Sequence, residues 1–98
     1  MTKVQQLKSV ERELTNLITE FCVCNYEEMT TDEKISCLDK TIREMENNFS
    51  KAEELLNSES IWFRFRNIIT TSKIDLHKQS YINLNCELRL LKELGGGD

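Results

Sequence analysis

The chain has 98 residues, 31% of them charged, and a formal net charge of −4. That length allows one domain with a thin core, and the acidic balance argues against a general nucleic-acid binder, whose phosphate contacts need clustered Lys and Arg. Proline is absent and the only glycines are Gly95, Gly96 and Gly97, so nothing ahead of the C-terminus interrupts long helices.

Along the first segment, Leu7, Val10, Leu14, Leu17, Phe21 and Cys24 step by 3 and 4 in alternation, with Val4 and Ile18 beside them. This two-in-seven spacing predicts a helix over about residues 2–25 with one apolar stripe. The polar run "NYEEMTTDE" ends it. Thr30 and Glu33 have capping-box spacing, in which a hydroxyl and a carboxylate satisfy orphan backbone N–H groups, and they mark the start of a second helix. Its seam is more regular: Ile35, Leu38, Ile42, Met45, Phe49, Ala52 and Leu56 alternate steps of 3 and 4 among charged and polar residues. The register fails near "NSES", where Ser58 or Ser60 can cap the next helix, and so short a connection favours an antiparallel neighbour.

A third helix is predicted from about residue 60 to 94, ending at the glycines, where a left-handed residue closes a helix without steric cost. A break near Ser72, which has capping spacing to Asp75, would divide it in two. The architecture expected is therefore all-α: an elongated antiparallel three-helix bundle, or a coiled-coil-like hairpin with a long third helix, with four helices if the break is real. Residues 1–94 form the single helical domain and 95–98 a glycine-rich tail.

The third helix carries two apolar stripes. Ile61, Phe65, Ile68, Ile69 and Leu76 share about a third of its circumference and are enough to complete a three-helix core, with Trp62 at the flank. Phe63, Ile74, Tyr81, Leu84, Leu88 and Leu91 fall on the opposite side. One stripe is then in excess. The sequence reading assigns the second stripe, together with Trp62, Arg64 and Arg66, to a partner: another helix-rich protein or a second copy of the chain. Aromatic and Arg side chains dominate binding hot spots, and residues 60–74 hold three basic side chains and no acid. The alternative is that both stripes are successive parts of one internal core.

No catalytic, cofactor or metal constellation is read from the sequence. Cys22 and Cys24 point about 200° apart on a helix, no paired metal-ligand spacing is present, and a site from Cys22, Cys37, Cys86 and His77 would need a tertiary accident. His77 is the only histidine and no nucleophile motif accompanies it. No cofactor and no small-molecule substrate are expected.

In general character the chain is similar to small, acidic, heptad-patterned subunits of intracellular assemblies such as kinetochore, vesicle-tethering or transcription-coactivator complexes. That likeness is of class and implies a non-catalytic subunit or adaptor. The charged start "MTKVQQLKSVERELTNL" predicts no export signal, and hence an intracellular protein, cytoplasmic or nuclear, with reduced cysteines. Three other readings stand beside it. One is a homodimeric scaffold. A second is an acidic inhibitor or immunity-type protein acting through Glu44, Glu46, Glu53 and Glu54. A third is peripheral membrane binding through the Trp/Phe/Arg segment.

Overall fold

The computed structural model describes residues 1–95; the predicted glycine-rich tail beyond Gly95 lies outside the described residues. Four α-helices follow one another: α1 (Lys3–Val23), α2 (Thr31–Asn57), α3 (Ile61–Arg66) and α4 (Ile68–Gly95), with one turn of 3₁₀ helix at Tyr26–Glu28. Among the described residues there is no strand. The bundle is an elongated rod of 52 × 23 × 18 Å.

Capping residues set the starts. Thr2 and Gln5 form a reciprocal box at α1, the Gln5 N–H donating to Thr2 Oγ1 (3.1 Å) and the Thr2 N–H to Gln5 Oε1 (2.9 Å). At α2 the Thr30 hydroxyl accepts the Glu33 N–H (3.2 Å), as the spacing predicts, but the Glu33 carboxylate accepts the Thr30 hydroxyl (3.1 Å) and not the backbone. Half of the predicted box is therefore formed. Ser60 occupies the N-cap position of α3 without a side-chain bond, whereas Ser58 ends α2 and donates to the Leu55 carbonyl (2.8 Å).

The three long helices run up, down and up. Leu7, Val10 and Leu14 of α1 pack with Met45 and Ala52 of α2 and Ile74 of α4; at the other end Leu38 and Ile42 of α2 pack with Leu88 of α4. The start of α2 thus meets the end of α4, and the start of α1 the end of α2. Tyr81 touches both clusters and meets Phe49 edge-on, with ring centroids 5.5 Å apart. Each fully buried leucine here contributes about 1.5–3 kcal/mol of transfer free energy. The seams of the first two helices pack as their spacing predicts, with Val4 exposed and Ile18 against the core.

Two features of the third predicted helix are corrected. The break falls at Asn67 and not at Ser72: Asn67 has φ −110° and ψ 28°, and its side-chain amide donates to the Phe63 carbonyl (2.9 Å), which the Asn67 backbone N–H also uses (3.1 Å). A side chain competing for the carbonyl of the preceding turn bends the ladder. The faces keep their phase through the bend, because Phe63 before it and Ile74 and Tyr81 after it all pack on the core.

The second correction is that the two stripes exchange roles. Phe63, Ile74, Tyr81, Leu84, Leu88 and Leu91, assigned to a partner by the sequence reading, form the internal side. The stripe assigned to the core, Ile61, Phe65, Ile68, Ile69 and Leu76, faces solvent. The reason is length. The stripe from Ile61 to Leu76 covers ~22 Å of helix, whereas Phe63 to Leu91 covers ~42 Å and is long enough to span the whole seam of α2, Ile35 to Leu56, at ~32 Å. Contact along the whole rod removes more apolar surface from water than a richer but shorter stripe can.

Candidate interaction surface

The surface is built by α3 and the first half of α4. Ile61 is 73% exposed, Trp62 and Phe65 are 68% exposed, Ile68 53%, and Ile69 and Leu76 72%. Spacings of three and four place Ile61, Phe65, Ile68 and Ile69 side by side, and the Trp62 and Phe65 rings lie 6.5 Å apart. Six large apolar side chains exposed together differ from the single ones found on any surface. Its own helix hardly holds it in place: α3 is six residues long and has no buried residue.

The electrostatics of the patch are one-sided. Arg64 hydrogen-bonds Asn57 Oδ1 (3.2 Å), while Arg66 and Lys73 are exposed and make no ion pair among the described residues. The acids that bracket the patch are engaged elsewhere, Glu59 with Lys3 and Asp75 with Lys78 (3.3 Å). A chain of net charge −4 thus presents locally basic residues beside this apolar patch.

Of the partner-facing residues expected from sequence, the structure keeps Trp62, Arg64 and Arg66 on this surface, brings Phe63 half inside, and places Ile74, Tyr81, Leu84, Leu88 and Leu91 in the bundle. Phe65, Ile69 and Leu76 take their place outside. Their signal is present in the sequence, whose spacing separates the two stripes; it does not say which of them α1 and α2 cover.

The acidic residues do not converge. Glu44 and Glu54 line clefts between α1 and α2, whereas Glu53 lies in the cleft between α2 and α4. The first of these clefts, about 450 Å³ and open, runs over Asn48. Asn48 is 5% exposed; its amide donates to the Glu44 carbonyl (2.9 Å) and its Oδ1 has no partner among the described residues.

At the opposite end, Tyr26 closes the rod. Its hydroxyl donates to Glu87 (3.0 Å), its ring lies 5.2 Å from Phe21, and the Lys34 ammonium sits 5.1 Å above it. Burial, then the hydrogen bond to Glu87 and its negative charge, push the phenol up to about 12. Burial also pushes the Cys37 thiol up, with neighbouring Cys24 acting in the same direction. Among the described residues no three His, Cys, Asp or Glu side chains are grouped as metal ligands would be, so Cys22, Cys37, Cys86 and His77 are not brought together. His77 instead lies 3.2 Å from the Thr15 hydroxyl and 3.8 Å from Glu11.

Fold and surface together define a small all-α bundle with one aromatic, basic-rimmed face left uncovered. Comparison with protein-family models, with curated proteins and with solved structures gives no match. No described helix is long and apolar enough to cross a membrane.

Proposed function

We propose that this chain is a helical protein–protein interaction module, a non-catalytic subunit or adaptor, that binds a helix-rich partner through the outer face of α3 and the first half of α4. The observation that supports this reading is the exposed set Trp62, Phe65, Ile69 and Leu76 on a protein whose inner stripes pack against one another. The face differs from the one read from sequence and the principle is the same: an apolar stripe left over after the core is complete. Aromatic anchors with Arg beside them have the composition of binding hot spots.

The test is quantitative affinity capture from native cells with the wild-type chain and with Phe65→Asp and Ile69→Asp. Both substitutions lie on solvent-facing positions, so circular dichroism should show unchanged helix content. Partners that the wild type retains and both variants lose support the reading. Identical partner sets for all three chains would overturn it.

A further inference from the structure

Resting on that reading, we infer that the occupant of the α3–α4 face is an acidic amphipathic helix of a different chain. The seam itself asks for a helix: Trp62, Phe65, Ile69 and Leu76 step by 3, 4 and 7, the two-in-seven spacing through which one helix packs along another. It crosses Asn67 without losing phase, since Phe63 and Ile74 hold the inner side of both segments.

The flank fixes the charge. Arg66 and Lys73 stand seven residues apart on the same side of the seam, both exposed and both without an ion pair among the described residues. A helix laid on the seam brings its own flanking positions against them, and only carboxylates there answer both cations.

A second copy of this chain fits less well. Antiparallel self-pairing centred between Ile69 and Thr70, the middle of the seam, sets Arg66 against Lys73 of the copy, twice, while parallel pairing brings no acid to either residue. An anionic lipid surface would answer the cations, but a chain of net charge −4 is repelled from it as a whole.

Trp62 is the only tryptophan, so its emission reports directly on cover at the seam. The probes are two designed 21-residue peptides without Trp, sharing one leucine heptad seam, with Glu at the flanking positions of one and Lys at those of the other. Titration into the full chain should shift Trp62 emission to the blue, with the Glu peptide binding about tenfold more tightly than its Lys twin and the gap narrowing at high salt. Because the chain as a whole is acidic, its net charge alone favours the Lys peptide, and a preference for Glu has to come from the flank. The double variant Arg66→Glu with Lys73→Glu should reverse the order.

Several results overturn the inference. Equal binding of the twins, lost in Phe65→Asp, would refute the acidic class while leaving the face as a docking site. Glu-peptide binding that survives Phe65→Asp would place the contact elsewhere and refute both readings. No binding of either peptide, with a blue shift only on phosphatidylserine vesicles or only on concentrating the chain, would replace the acidic helix by a membrane or by a second copy.

Discussion

Ile74 and Leu76 lie two residues apart on α4, yet one is 3% exposed and the other 72%. Replacing each by Ala in turn tests which stripe is the core. Ile74→Ala removes three carbons that pack with the cluster of Leu7, Val10, Leu14, Met45 and Ala52. At about 0.8 kcal/mol per buried methylene the transfer loss is about 2.4 kcal/mol, and the cavity left between three helices raises the cost to about 3 kcal/mol. For a chain whose whole stability is on the order of 5 to 15 kcal/mol, that lowers the urea midpoint by roughly 2 M. Leu76→Ala removes side-chain atoms that are already mostly in water, and Ala is the better helix former, so the net change should stay within about 0.5 kcal/mol. The assay is equilibrium urea unfolding followed by circular dichroism, at a concentration where light scattering shows a monomer. If Leu76→Ala costs as much as Ile74→Ala, or more, the packing described above is refuted and the stripe from Ile61 to Leu76 belongs inside.

Other outcomes follow from single side chains. The phenol of Tyr26 is raised to about 12 in the folded chain and sits near 10 in the unfolded one, so its contribution to stability is complete below about pH 10 and is lost as pH rises toward 12. The stability difference between wild type and Tyr26→Phe should therefore be flat from pH 7 to 9 and shrink above about 10; a difference that grows with pH contradicts the sign. Asn48 Oδ1 is buried without a partner among the described residues, and Asn48→Leu, of similar volume, should raise stability by about 1 kcal/mol in the same unfolding assay; a loss would mean that the cleft over Asn48 supplies the missing partner.

Much of the fold was legible in the sequence. Strict steps of three and four at Leu7–Phe21 and Ile35–Leu56, capping spacing at Thr30, and the absence of Pro and internal Gly were enough for two helices with boundaries within a residue or two, and the short connection at "NSES" for an antiparallel neighbour. These are local properties, set by the 3.6-residue turn and by backbone groups that need partners close in sequence. The interruption of the third helix was less legible, because Ser72 and Asn67 are both poor helix formers and only the amide of Asn67 is placed to take the Phe63 carbonyl.

For the surface, the sequence separated the two stripes of the third helix and identified the segment around Trp62, Arg64 and Arg66. It could not rank the stripes. Local composition favoured Ile61, Phe65, Ile68, Ile69 and Leu76, the denser set of large apolar residues, and placed them inside. The tertiary structure reversed this, because burial is decided by how much area two other helices of fixed length can cover together, and the stripe from Phe63 to Leu91 is the one that packs along them. What the sequence by itself determined was that the third helix carries two apolar faces; which of them lies outside depends on contacts between residues far apart in the chain, a property of the assembled rod that no single helix contains.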